Sequence, residues 1–329
     1  MVRYLSFFGT LWLLLLIASC SEPAPENEPL HTVFYHWETS LRPSPTARGL
    51  LDSFACEQLY LKVFDLSWED DRLTTSAWLK AEDTSDLPAL VPVVFITNEV
   101  LQQLPAERMS SLAEDLLGLT DDLMPSPYSS LQLDCDWTAT TRSNYFSLLR
   151  ALQSLRPYLV VSCTVRLHQY RDREAQGIPP VKRATLMAYN TGELDRWETG
   201  NSILDSNIVK GYLSRSPPYP IPLDLGVAIY DWAAVYRQGE LAYLINEPPL
   251  KELTDSNRFR QFTPLRYEVT TSTYYAGLYL YRGDLIRRET VGPTTLGEQT
   301  RLLQRYVKSF PGQRRLIYRL GSRLWESTE

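Results

Sequence analysis

Short apolar runs recur along the chain, separated by longer stretches with helical spacing. The runs cover residues 32–37 (TVFYHW), 58–64 (QLYLKVF), 90–96 (LVPVVFI), 130–135 (SLQLDC), 159–165 (LVVSCTV), 184–189 (ATLMAY), 223–229 (LDLGVAI) and 315–320 (RLIYRL). Their length and their content of β-branched and aromatic residues predict strands. Residues 106–117, 142–155 and 296–310 predict helices, the last starting after Thr294-Thr295 and stopping at Pro311-Gly312. Strand–helix alternation predicts a parallel sheet covered by helices, and eight such units predict an α/β chain of the (β/α)8 TIM-barrel class. The seventh and eighth runs are far apart. Residues 266–280 and 285–290 lie between them, with Gly283-Asp284 read as a hairpin turn. They predict a small β-rich insertion between strands seven and eight, at about 233–292 within a barrel domain of residues 31–329.

Within a strand, side chains alternate between two faces. On the fourth run Gln132, Asp134 and Asp136 share one face, and Leu131, Leu133 and Cys135 the other. On the fifth, Ser162, Thr164, Arg166 and His168 share a face. The apolar sets pack outward against helices, so Cys135 and Cys163 read as core residues. The polar sets face the barrel mouth, where TIM-barrel sites gather. Other polar and aromatic residues at strand ends are Tyr35, Trp37 and Glu38 (run one), Lys62 and Asp65 (two), Tyr189 and Asn190 (six), and Tyr230, Asp231 and Trp232 (seven). Charged groups are rarely buried unpaired, so this gathering calls for either a site or an internal ion-pair network. Two close carboxylates repel and push one pKa up, which suits acid chemistry or the orientation of a polar substrate group. Arg166 is placed to neutralise the Asp134–Asp136 pair.

The N-terminus has Arg3 and then a mostly apolar stretch to Ala18, too short to span a bilayer comfortably. It predicts a signal peptide over residues 1–19. Leu16-Ile17-Ala18-Ser19-Cys20 resembles a bacterial lipobox, whose cysteine is lipidated. Residues 20–30, rich in Pro and Glu, cannot bury a core and predict a tether. The expectation is a lipid-anchored protein of the bacterial cell envelope; the residue after Cys20 is Ser21, not Asp, which resembles outer-membrane lipoproteins. The periplasmic and the surface face both stay open.

Composition changes the picture in three ways. A net charge of −6 with scattered basic residues disfavours a nucleic-acid partner. Besides Cys20 there are three widely spaced cysteines, no disulfide framework. The 20 Tyr and 8 Trp suit an aromatic core, or faces on which sugar rings stack. Three histidines make a His-rich zinc site a poor reading, leaving only hard-metal binding by Asp134, Asp136 and His168. Phosphate-binding loops and nucleophile elbows are absent, so neither cofactor nor metal is expected.

At this point the residues resemble the chitinase-like glycoside hydrolases of family eighteen. That family carries D-G-x-D-x-D-x-E on strand four, and Leu133-Asp134-Cys135-Asp136-Trp137 is similar to its centre. Its M-x-Y-D on strand six is similar to Met187-Ala188-Tyr189-Asn190. The resemblance implies the barrel, an insertion after strand seven, a carbohydrate ligand, and a substrate-orienting role for Asp136. It also exposes departures: Leu131 and Gln132 replace the first Asp and the Gly, Thr138 replaces the general-acid Glu, and Asn190 replaces the Asp. A threonine is no proton donor at useful acidity. Acid catalysis would then need Asp136 with Asp231 as an acid–nucleophile pair, or Glu38 as the acid. Three readings stay open. One is a hydrolase acting on a glycan through Asp134, Asp136, Asp231 or Glu38. The second is a non-catalytic glycan-binding lipoprotein, and the third a structural protein. In the first two, Tyr35, Trp37, Trp137, Tyr189 and Trp232 stack on sugars while Lys62, Arg166, His168 and Asn190 bind polar groups.

Overall fold

The computed structural model describes residues 30–81, 84 and 86–326. The signal-peptide and Cys20 expectations lie outside the described residues. Eight parallel strands close a barrel: β1 (His31–His36), β2 (Gln58–Glu69), β3 (Ala89–Ile96), β4 (Ser130–Cys135), β5 (Val160–Arg166), β6 (Ala184–Met187), β7 (Leu223–Ala228) and β8 (Arg314–Tyr318). Closure comes from β1, which pairs with β8 at Phe34–Ile317 and with β2 at Tyr35–Tyr60. The TIM-barrel expectation is met. Each of the eight apolar runs overlaps a barrel strand because fully buried parallel strands need apolar residues over most of their length.

Alternation explains the two cores. Phe34, Leu59, Leu61, Val94, Leu131, Leu133, Cys135, Cys163 and Val165 face outward into a large cluster with the helices. Helix Met109–Leu123 contributes Leu112, Leu116 and Thr120, and helix Arg142–Leu155 contributes Tyr145, Leu148, Leu149 and Leu152, at the spacing of one helix face. The inward set is smaller and aromatic: Val33, Tyr35, Tyr60, Val91, Val93 and Leu316.

Three parts differ from expectation. The second strand outruns the barrel and folds back as Arg72–Ser76, pairing Asp65 with Ser76. The third run is followed by a short helix, Asn98–Gln103, and the last helix ends at Gln304. The insertion is a five-stranded antiparallel sheet in the order Glu240–Asn246, Tyr230–Arg237, Leu285–Val291, Arg266–Val269, Phe259–Thr263. Gly283-Asp284 does lie in a turn, the Asp284 N–H bonding to the Tyr281 carbonyl (3.0 Å), and Arg266–Val269 does pair with Leu285–Val291, but the turn does not join adjacent paired strands: Leu285–Val291 pairs with Tyr230–Arg237 and Arg266–Val269, not with Leu278–Leu280 just before it. The tight turn lies at Ala276-Gly277, both at positive φ, between Thr273–Tyr275 and Leu278–Leu280. Asp284 is buried and accepts two bonds from Arg237, at 3.0 and 2.8 Å.

One buried charge pair ties the insertion to the barrel. Arg287 and Glu289 are almost fully buried on one strand, with Arg287 Nε donating to Glu289. Arg287 also donates to the carbonyls of Arg196 and Leu194 in the loop after β6. Glu289 accepts from Ser202 N (2.7 Å), Ser202 Oγ (2.5 Å) and Trp232 Nε1 (2.8 Å). Breaking a buried pair from one side leaves an uncompensated charge, so Glu289→Gln should lower stability by about 3 kcal/mol. Trp232→Phe removes one hydrogen bond and should cost about 1 kcal/mol. Urea unfolding of both variants checks this, and equal midpoint shifts would contradict it.

Candidate functional site at the barrel mouth

Inside the barrel the polar side chains form layers. Near the N-terminal end, Arg183 pairs with Asp224 (2.6 Å) and Arg314 donates to Tyr60 (3.0 Å). Midway, Tyr35 Oη donates to Gln132 (2.6 Å), whose amide donates to Thr185 (3.1 Å). Toward the mouth, Thr164 Oγ1 donates to Asp134 (2.6 Å), and Arg166 grips Asp136 with Nε and Nη2. Thus β4 and β5, paired in register, interlock two carboxylates with a hydroxyl and a guanidinium.

The two carboxylates differ in environment. Asp134 is buried, and burial pushes its carboxyl above the usual range despite the pull of Arg166 and the Thr164 bond. Asp136 has half its side chain exposed (51%), against 18% for Arg166. Burial works against the Arg166 charge, but Asp134 and Asp136 outweigh it and raise its pKa. Burial lowers the pKa of His168, with Asp136 pulling the other way, so its imidazole tends to be neutral. Asp136, Arg166, His168, Tyr189 and Asn190 line one cleft of about 240 Å3. Larger hollows exist away from the mouth: two, of about 380 and 660 Å3, are walled mainly by apolar side chains, and two, of about 390 and 460 Å3, include charged residues such as Glu57, Arg183, Arg48 and Asp52. The mouth is the candidate site because its convergent polar groups stand at the C-terminal strand ends, where sites of such barrels gather.

An aromatic seam crosses the mouth. Trp37 meets Tyr35 and Tyr318 edge-on at 5.9 and 5.6 Å, and Tyr318 stacks on Tyr189 at 5.5 Å. Tyr230 joins Tyr318 to Trp232. Trp37 and Tyr318 are half-buried and offer ring surface; Tyr35 and Tyr189 lie beneath, and Trp232 is buried with its indole bonded to Glu289. Tyr318 was not singled out from sequence, although alternation aligns it with Arg314 and Leu316 on the inward face of β8. Lys62 pairs with Asp65 at 2.9 Å and sits 5.8 Å from the Trp37 ring centroid.

Four expected site residues are placed elsewhere or engaged. Trp137 does not face the mouth: it is fully buried, stacks on Tyr145 at 5.0 Å, and donates to the Gln176 carbonyl. The reason is alternation, since Asp136 faces inward and its neighbour must face out. Asp231 follows the same rule between Tyr230 and Trp232. It is buried and bidentate with Arg323, so it does not stand open to Asp136 as a nucleophile. Glu38 is held by Arg319, which also reaches Glu247 (2.6 Å), and lies 3.2 Å from His36 Nδ1. Asn190, at a φ of 55°, accepts from the Tyr230 hydroxyl. Thr138 belongs to the start of the next helix, its hydroxyl 2.8 Å from that of Thr140 and its N–H donating to Thr141. Among the described residues no group of three His, Cys, Asp or Glu side chains could hold a metal ion.

No protein-family profile and no curated protein sequence matches the chain. Solved structures do. The Bacillus cereus spore cortex-lytic enzyme SleL is 14% identical with a TM-score of 0.53, covering 92% of this chain and 74% of that one. A chitinase from Chromobacterium violaceum is 12% identical with a TM-score of 0.54, covering 91% and 97%. A chitinase from Bacteroides thetaiotaomicron is 10% identical with a TM-score of 0.52, covering 89% and 90%. At such identities the likeness is one of fold: the chain is a TIM barrel similar in fold to these solved structures.

The Asp134 shift has a testable sign. Its folded pKa is raised above the unfolded value of about 3.9, so its contribution to stability is full below that pH and is lost as pH rises through the raised value. Asp134→Asn should therefore melt above the parent at about pH 7 and match it near about pH 3, read by calorimetry across that range. A constant difference at every pH would mean that the folded pKa of Asp134 is not raised above its unfolded value.

Proposed function

We propose that the barrel mouth binds a carbohydrate and does not cleave it by the family-eighteen route. The observation that carries this reading is residue 138. The position of the general acid holds a threonine whose hydroxyl is engaged with Thr140, while Asp136 is held by Arg166. The half-buried rings of Trp37 and Tyr318 supply apolar faces for a sugar, and the cleft beside them supplies polar partners. The chitinase-type fold is consistent with a glycan ligand. The lipobox-like residues around Cys20 and the Pro- and Glu-rich stretch after it support display of this mouth from a lipid-anchored tether on the cell envelope.

One observation favours the competing reading of a hydrolase. Asp136 remains half exposed in an open cleft, with a buried second carboxyl two residues away. Incubation of the full-length chain with oligosaccharides, including N-acetylglucosamine oligomers, followed by native mass spectrometry separates the two. Intact sugar bound without products is expected. Products that disappear in Asp136→Asn would replace the binding reading with the enzyme reading, and neither bound sugar nor products would remove both. For the anchor, Cys20→Ser should move the protein from the membrane fraction to the soluble one. A variant that stays with the membrane would exclude lipidation at Cys20 as the anchor.

A further inference from the structure

The cleft between β5 and β6 has an unusual donor balance. Arg166 carries a fixed positive charge and, within the barrel, has only two carboxylates near it. Asp134 bonds to Thr164 and is fully buried, whereas Asp136, the carboxylate that the Arg166 guanidinium bonds directly, reaches in from the rim with half its side chain in solvent. An exposed ion pair contributes little, so it exchanges readily for a better one. Around the pair stand further donors. Asn190 uses its amide oxygen to accept from Tyr230, which leaves its NH2 as a donor at the exposed edge. His168, neutral, has one ring N–H. Tyr189 lines the same cleft, and its buried hydroxyl has no hydrogen-bond partner. A buried hydroxyl without a partner is disfavoured unless something completes it.

Apart from the two aspartates, the groups around Arg166 in this cleft therefore offer donors. Neutral sugars present hydroxyls, which both donate and accept and leave a guanidinium poorly matched. A carboxylate accepts a bidentate bond from arginine in the geometry that Asp136 now occupies. At about 240 Å3 the cleft is smaller than the roughly 300–1,000 Å3 of drug-sized pockets, so it suits one sugar ring or its substituent, not an oligomer.

We propose that this cleft is a subsite for an acidic sugar, whose carboxylate takes the place of Asp136 on Arg166 while Asp136 turns out to solvent. The subsite rests on the glycan-binding reading and narrows its ligand to chains carrying uronic acids or similar carboxylated residues. Asn190, His168 and the Tyr189 hydroxyl complete the acid group or the ring that bears it. Asp136 acts in this scheme as an internal competitor, the reverse of the substrate-orienting role implied by the motif.

The test is calorimetric titration of the full-length chain in detergent with two oligosaccharide sets matched in length, one neutral (N-acetylglucosamine oligomers) and one bearing a uronic acid in each repeat. The acidic set should bind about tenfold more tightly, a difference of about 1.4 kcal/mol. The preference should shrink as salt is raised. Asp136→Asn, a substitution at a half-exposed side chain, should tighten the acidic set about tenfold and so raise the ratio of acidic to neutral binding. Arg166→Gln should abolish the preference, and Arg166→Lys, which keeps the charge without the fork, should restore only part of it. Tyr189→Phe should weaken the acidic set without lowering the melting temperature, because the hydroxyl has no protein partner to lose. Equal binding of both sets, or weaker acidic binding in Asp136→Asn, would overturn the subsite and leave the glycan reading in place. Binding of neither set would overturn both.

Discussion

The governing constraint is that a closed parallel barrel has a dry interior, so any charge placed there must be matched from a neighbouring strand. In this chain the fourth and fifth strands carry that requirement together. Thr164 meets Asp134 and Arg166 meets Asp136 because β4 and β5 pair in parallel register and both turn their even-numbered residues inward. The layers below are matched across the barrel as well as between neighbours: Tyr35 of β1 donates to Gln132 of β4, and Arg183, just before β6, pairs with Asp224 of β7. At the mouth the carboxylate of the outermost pair, Asp136, is half exposed, whereas Asp224 is buried. A pair held by a good geometry but weakened by solvent is a pair that a ligand can enter.

The insertion gives the mouth a wall. Its sheet is fixed to the loop after β6 by Arg287 and Glu289, which bond to backbone at residues 194, 196 and 202 and to the Trp232 indole. A second set of charges, Glu38–Arg319–Glu247, joins β1 and the segment after β8 to the loop that follows Glu240–Asn246. These residues stand at strand ends, where a site is looked for first. Their partners show that several serve the framework. Charges at the mouth of a barrel therefore divide into those that hold the walls and those that face the cleft, and only contact geometry separates the two.

The barrel is similar in fold to solved chitinases, and position 138, where the motif that strand four resembles has its acid, holds a threonine. The replacement is not a local accident of one side chain, since Thr138 is built into the turn that starts helix Arg142–Leu155 together with Thr140 and Thr141. The two aspartates that resemble the centre of that motif differ in environment, one buried and one engaged with arginine.

The sequence by itself determined the barrel. Eight apolar runs of strand length, with helical stretches between them, leave few other ways to bury both faces of every strand. It also determined which residues of β4 and β5 face inward, because a period of two is fixed by backbone geometry. The same rule, applied one residue further, places Trp137 outside the mouth, against the alternation already used for Asp136, and it likewise turns Asp231 away from Tyr230 and Trp232. Partner choice was not legible. Nothing in the chain order says that Asp231 meets Arg323, that Glu38 meets Arg319, or that Tyr318 stacks on Tyr189, since these contacts join residues brought together only by barrel closure. The insertion was legible as β-rich but not in its pairing, because antiparallel strands choose partners by side-chain packing across the sheet and not by order along the chain. Tertiary structure decided which charges serve the framework and which pair, Asp136 with Arg166, faces an open cleft.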